Sequence, residues 1–146
     1  MKLIPIKEKL EENQDFIDNP VCKEGLQMTV EFYKRIGFVP PWIGYFVEQD
    51  GAIVGSAGIK GKPVNGKIEI AYGTMEEFRN QGIGGEICRA LVELSLNADP
   101  SIKVTARTLP ENNFSANVLK KNNFVCIGMV NDPEDGDVWE WEFQMK

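Results

Sequence analysis

An extended run, a glycine-rich junction and a helical run follow one another between Lys67 and Asn97, and that succession most narrows the folds open to this chain. Lys67-Ile68-Glu69-Ile70-Ala71-Tyr72-Gly73-Thr74-Met75 alternates large with small or polar side chains at period two, as a strand does. Arg79-Asn80-Gln81-Gly82-Ile83-Gly84-Gly85 comes next, and Ile83, Ile87, Leu91, Val92 and Leu94 then recur at helical spacing to about Asn97. Glycines at such a junction allow a tight turn and bring backbone amides close to a ligand, while the N–H groups of the first helical turn have no partner within the helix. With the positive end of the helix behind them and Arg79 at the rim, these donors form a candidate anion cradle suited to linked phosphates. The plainer alternative is a turn before a surface helix. The lysine of a nucleotide-triphosphate loop is absent, and so is the Gly-x-Gly-x-x-Gly spacing of a dinucleotide fold.

At 146 residues, with 42% hydrophobic content, the chain suits a single domain (1–146) with a substantial core. No run approaches the roughly 18 apolar residues that span a bilayer, and the N-terminus mixes charges where a signal segment would be apolar. The expectation is a cytoplasmic protein with no membrane partner.

Cys22, Cys88 and Cys126 lie far apart, with no zinc or redox pair spacing, and the chain has no histidine. That excludes Ser-His and Cys-His catalysis and the usual histidine-containing zinc centres, so no metal site is expected. Cys88 and Cys126 read as small buried hydrophobes rather than nucleophiles. The net charge of -6, without a lysine-rich helix or arginine block, argues against nucleic acid as a primary partner. A cationic or amine-bearing substrate suits that field better.

Lys2 to Lys7 reads as an edge strand that tolerates Pro5, and Glu24 to Ile36 as a helix ended by Gly37. Tyr45–Glu48 and Ala52–Ile59 flank the hairpin signal Asp50-Gly51. With a reversal at Lys62–Gly66, they lead into the strand that ends at Met75, a three-strand antiparallel meander. Ser101–Arg107 reads as a strand. Asn113–Lys121 is the next helix, packing through Phe114, Val118 and Leu119, and Phe124–Val130 and Asp137–Gln144 are the last strands. Trp139, Trp141 and Phe143 share one face of the final strand, opposite Val138, Glu140 and Glu142. The whole is a mixed α/β arrangement.

On these residues the chain resembles the GNAT superfamily of N-acetyltransferases. Arg79, Gly82 and Gly84 match its Gln/Arg-x-x-Gly-x-Gly/Ala acetyl-CoA signature at the same strand–turn–helix position. More of the chain is similar to the subgroup of ribosomal-protein alanine N-acetyltransferases: Ile68-Glu69-Ile70-Ala71-Tyr72-Gly73 before the signature, and the Asn112–Phe124 run after it. The latter resembles Asn-x-x-Ser-x-x-Val-Leu-x-Lys-x-Gly-Phe, with Asn123 in place of the glycine. The resemblance implies a strongly twisted mixed sheet flanked by helices. The strand ending near Met75 and the one beginning near Ile102 splay apart to open a slot for a pantetheine arm.

It also implies direct transfer of an acetyl group from acetyl-CoA, the cosubstrate, to an amine, without an enzyme nucleophile. The amides of Asn80, Gln81, Gly82, Ile83, Gly84 and Gly85 are the expected pyrophosphate contacts. Backbone groups at Met75 would meet the pantetheine, with a free N–H there polarising the thioester carbonyl. Glu69 is the candidate general base, directly or through water, against the alternative of a solvated carboxylate. Asn112 would contact pantetheine or brace the strand–helix junction, or cap the following helix, and Ser115 would touch the cofactor. The family's tyrosine general acid has no counterpart, since Leu119 follows Val118. Tyr72 and Tyr33 are alternatives without a motif behind them. For the acceptor, the resemblance points to the region holding Phe32, Tyr33, Trp42 and Tyr45, with Trp139 and Trp141 on a late strand and Glu48, Glu69 or Glu140 as polar partners; the alternative role of these aromatics, favoured for the tryptophans, is core packing.

The leading function is therefore an acetyltransferase acting on a primary amine of a small molecule or a peptide N-terminus, with a homodimer compatible with it. The alternatives are a catalytically weak acyl-CoA-binding or regulatory domain and a purely structural module.

Overall fold

Asp50 and Gly51 make the turn that their residue types imply, with left-handed φ values of 52° and 82°, as a two-residue hairpin of the primed kind demands. They join β2 (Gly44–Gln49) to β3 (Ala52–Ile59) in an antiparallel pair. The computed structural model of the protein describes residues 1–145. Within them β1 (Lys2–Pro5) edges β2, and β4 (Lys67–Thr74) adds antiparallel to β3, so the expected meander carries the N-terminal strand on its rim. A short helix α1 (Gln14–Ile17) and a longer one, α2 (Lys23–Ile36), lie between β1 and β2. Gly37, with φ 95°, ends α2.

α3 (Ile83–Ala98) then crosses over, and β5 (Lys103–Thr108) runs parallel to β4. After α4 (Phe114–Lys121), the strands β6 (Phe124–Asp132) and β7 (Gly136–Phe143) form a hairpin. Strand β7 inserts between β5 and β6, giving the order β1-β2-β3-β4-β5-β7-β6 in one open mixed sheet. No helix among the described residues is long and apolar enough to cross a membrane.

The two faces of the sheet are covered by different helices. Ser56 pairs with Phe46, whose ring lies 3.5 Å from where a Cβ on Gly25 would stand, so this face belongs to α2. Gly55 points the other way, where an added Cβ would meet the Gly73 carbonyl and come within 2.9 Å of Ile87 on α3. Only a residue without a Cβ lets α3 seat that closely. Ile83, Ile87, Cys88, Leu91 and Val92 fill this side of the core, with Ala116, Val118 and Leu119 of α4 beside them. Leu26, Val30 and Tyr33 of α2 fill the other side. The Tyr33 hydroxyl donates to the Ile6 carbonyl at 2.8 Å and accepts from the Gly44 N–H at 2.9 Å, which fastens α2 to the β1–β2 edge.

Trp141 is buried, and its Nε1–H donates to Thr108 Oγ1 at 3.0 Å. Two local expectations are corrected. Cys126 is exposed, because β6 is the sheet's outer edge, whereas Cys22 and Cys88 are buried. Phe114 is 66% exposed instead of packed; it stands at the first position of α4, above the turn that opens α3.

Candidate functional site

Strand β4 divides its side chains between two chemistries. Tyr72 and Thr74 face α3: burial and contact with Cys88 push the Tyr72 hydroxyl far up, and Thr74 Oγ1 lies 3.6 Å from where a Cβ on Gly84 would stand. Glu69, Ala71 and Gly73 alternate to the α2 face. The register with β5 ends at Ile70 and Ala106, and beyond it the two strands part. The Met75 N–H donates to the Val54 carbonyl at 2.8 Å, so the free donor expected at Met75 is absent. Antiparallel pairing alternates its hydrogen bonds, and the backbone groups that turn toward the gap are therefore those of Tyr72 and Thr74.

On the α3 side of this gap lies a crevice of about 470 Å³. It is lined by Tyr72 to Thr74, by Phe78, Arg79, Asn80 and Gly82 to Gly84 at the turn, and by Phe114, Ser115 and Val118. Asn80 and Gly82 both take left-handed φ, 66° and 78°, so the chain folds sharply into α3 with successive N–H groups turned outward. The first backbone bond of α3 runs from the Glu86 N–H to the Gly82 carbonyl, at 3.3 Å, and no side chain caps the helix. The N–H groups of Ile83, Gly84 and Gly85 are left open, beside an Arg79 whose Nε–H leans on the Thr74 carbonyl at 3.5 Å. No atom within 4 Å crowds the open side of Gly82. Donors, helix end and guanidinium together fit a pyrophosphate.

Of the residues singled out by the signature, Arg79, Asn80, Gly82, Ile83, Gly84 and Ser115 line the crevice. Met75, Gln81, Gly85 and Asn112 do not, although the Gly85 N–H belongs to the open first turn. The helix cap is Asn113, whose Oδ1 accepts from the Ala116 N–H at 2.9 Å. Asn112 instead accepts from Lys120 Nζ at 3.3 Å, at the surface.

On the α2 side, a cavity of about 660 Å³ reaches from Met28, Phe32, Tyr33 and Tyr45 to Ala71, Glu69 and the turn at Asp132 to Glu134. Trp42 and Glu48 do not line it. A third space of about 380 Å³ sits in the gap itself; it shares Tyr72 and Ser115 with the crevice, and Lys60, Glu69, Ala71, Tyr72 and Asp132 with the α2-side cavity. The two faces of the sheet therefore communicate through the parting of β4 and β5.

Glu69 stands at this junction with both carboxylate oxygens engaged. Lys60 Nζ lies 2.8 Å from Oε2, and Arg107 Nε lies 3.6 Å from Oε1, too far for a hydrogen bond, so that buried Nε–H has no hydrogen-bond partner. Arg107 also reaches Asp132 at 2.9 Å and Glu140 at 3.5 Å. Burial alone would lower its pKa, and the hydrogen bond it donates to Asp132, with the Glu69 and Glu140 charges, raises it instead. Asp132 is held at about 2 by the Glu134 N–H, the Arg107 guanidinium and the Asp135 N–H. Lys60, Arg107 and Asp132 were not evident as site residues from composition or spacing. Only the register of the β3–β4 hairpin, in which the Lys60 N–H bonds the Glu69 carbonyl at 2.9 Å, brings Lys60 opposite Glu69.

Cys88, beside Tyr72, is closed off as a nucleophile. Burial pushes the Cys88 thiol up to about 11, against the opposing influence of Tyr72 and Arg89, and a protonated buried thiol is inert.

Residues 1–125 match the family model described as an acetyltransferase (GNAT) domain. An uncharacterized N-acetyltransferase, YjdG of Bacillus subtilis (strain 168), is 34% identical over 86 residues, which are 58% of this chain and 50% of that protein. The aminoglycoside acetyltransferase AAC(6')-Ib, solved with coenzyme A and kanamycin, superposes with a TM-score of 0.61 at 24% identity, covering 71% of this chain and 66% of that one. The ribosomal-protein-S5-alanine acetyltransferase from Vibrio fischeri superposes with a TM-score of 0.63 at 19% identity, covering 82% and 68%. The match thus spans half the length of the B. subtilis relative and just under two thirds of AAC(6')-Ib. At these identities the two structural likenesses are likenesses of fold.

Proposed function

The chain belongs to the acetyltransferase (GNAT) domain family, and from that premise we propose that it transfers an acetyl group from acetyl-CoA to a primary amine of a small molecule or a peptide N-terminus. One observation carries this reading. The crevice beside the open N–H groups of α3 and the cavity beside the carboxylate of Glu69 lie on opposite faces of one sheet and communicate through the space where β4 and β5 part. Cofactor and acceptor can then approach the same point from two sides, which is what direct attack requires.

Acetyl-CoA supplies a ready-activated acyl group as a thioester, so the protein has to bind, align and manage protons. The amides of Ile83, Gly84 and Gly85, with Arg79, would hold the pyrophosphate. Backbone groups of Tyr72 and Thr74 would pair with the pantetheine in the gap. Glu69 would take the amine's proton, directly or through water. A water is the simpler route, because both carboxylate oxygens face a cation. The same pairing favours, as the second reading, an acyl-CoA-binding domain of weak catalytic power.

The finer resemblance to ribosomal-protein alanine N-acetyltransferases rests on Ile68–Gly73 and Asn112–Phe124 and supports a peptide N-terminus among the acceptors. The α2-side cavity, walled by Phe32 and Tyr45, has room for a small amine or the first residues of a peptide. Residues 1–146 are read as one acetyltransferase-like unit, acting in the cytoplasm.

The test is thiol release from acetyl-CoA over a panel of amines and peptides, with Glu69→Gln alongside the parent. Amine-dependent release, slowed on the order of 10²-fold in Glu69→Gln with coenzyme affinity kept, is the expected result. Saturable coenzyme binding with no amine-dependent release would favour the binding domain.

A further inference from the structure

Lys60 is the one lysine among the described residues that lines any of the three spaces around the gap. Its side chain is 42% exposed, its Nζ is 2.8 Å from Glu69 Oε2, and its backbone is pinned beside Glu69 in the β3–β4 ladder. An ammonium held against the candidate base, on the acceptor side of the gap, stands where an acceptor amine has to stand. We propose that Lys60 is itself an acceptor, and that the chain acetylates its own Lys60 when no external amine competes. This rests on the acetyl-transfer reading above and extends it to a modification site.

The space in the gap carries the geometry. It runs from Ser115 and Tyr72, which also line the α3-side crevice, to Lys60 and Glu69 at its other end. The lysine follows directly on β3, its backbone N–H held by the Glu69 carbonyl, and its side chain can swing within this space once the ion pair opens. With the lysine side chain 42% exposed, solvent screens the pair, which resists opening only weakly.

In the step, the Lys60 ammonium gives a proton to Glu69 or to water, and the neutral Nζ forms a bond to the acyl carbon. The carbon–sulfur bond breaks and its electron pair leaves on sulfur as the coenzyme A thiolate. Of the two protons that nitrogen loses, one ends on the thiolate and one in solvent. No oxidant or reductant enters. The product is a neutral amide that can no longer pair with Glu69.

The experiment incubates the full chain with acetyl-CoA and no amine, and follows each lysine by peptide mass spectrometry. Lys62 and Lys67, both exposed and close in sequence, report ordinary chemical acetylation. Lys60 is expected to gain acetyl about tenfold faster than either, as a positioned amine does. Excess coenzyme A without an acetyl group should suppress the labelling of Lys60 and leave Lys62 untouched. Glu69→Gln should slow it, and Lys60→Arg should abolish the mark there without changing the others.

Labelling of Lys60 no faster than of Lys62 and Lys67, or unaffected by coenzyme A, overturns the proposal. Amine acetylation in the same preparation tells the two failures apart. If amines are acetylated and Lys60 is not, only this inference falls. If neither is acetylated and calorimetry finds no coenzyme A binding, the acetyl-transfer reading falls with it.

Discussion

Arg107 Nη1 lies 2.9 Å from Asp132 Oδ2, an ion pair that ties the parting strand β5 to the end of β6, 25 residues away in sequence. Asp132 also accepts from the Glu134 and Asp135 N–H groups at 2.9 and 3.2 Å, so one carboxylate closes the β6–β7 turn and anchors the arginine. Its pKa is held at about 2, below the ordinary range of an aspartate carboxyl. A carboxyl lowered in the folded state stabilises the fold above the unfolded value, and that contribution fades as the pH falls through the folded value. Asp132→Asn keeps an acceptor for the turn and loses the charge. Its melting temperature should lie below the parent's at pH 7, with the gap narrowing between about pH 4 and pH 2. A gap constant over that range, followed by calorimetry, would contradict the assignment.

Gly82 holds φ 78° at the entrance to α3 with open space around it, so a substitution there is judged by backbone conformation and charge alone. Asn80, two residues earlier, already holds φ 66°, which shows the turn tolerating asparagine in a left-handed position. Gly82→Asn should therefore bind coenzyme A nearly as the parent does. Gly82→Asp, of the same shape but negatively charged beside the phosphates, should bind at least about tenfold more weakly. Titration calorimetry on both variants checks this, and equal weakening would shift the explanation from charge to shape.

Tyr33 is a structural residue in this account. Its buried hydroxyl serves the Ile6 carbonyl and the Gly44 N–H, and burial pushes its pKa up to about 12. Tyr33→Phe leaves two backbone groups without a partner, which should cost about 1–3 kcal/mol in urea unfolding. Turnover per folded molecule should not change. A loss of turnover at unchanged stability would return Tyr33 to the list of proton donors.

Much of this arrangement was legible in the residues, and for local reasons. The hairpin at Asp50-Gly51, the end of α2 at Gly37, and the strand–turn–helix through Gly82 each depend on a backbone conformation that few residue types adopt. The helical spacing of Ile83, Ile87 and Leu91 likewise marks the face that α3 buries.

What was not legible depends on neighbours distant in the chain. Cys126 lies in an apolar run that would suit a core strand, yet β7 inserts between β5 and β6 and leaves β6 outside. The resemblance implies a free N–H at Met75, but one further bond to the Val54 carbonyl takes it. Asn112 and Asn113 are adjacent and chemically identical, and only the conformation of the preceding loop decides that Asn113 caps α4. Lys60, Arg107 and Asp132 come from three different strands or their ends, and nothing in their spacing draws them together around Glu69.

The central claim is that the first turn of α3 receives the linked phosphates of acetyl-CoA while β4 lines the gap beside it. A titration of the labelled protein with coenzyme A, followed by amide NMR, tests it most directly. The expected result is saturable movement of the Gly82, Ile83, Gly84 and Gly85 signals, joined by those of Tyr72 and Thr74. Signals from these six residues that stay in place at saturating coenzyme A would contradict it.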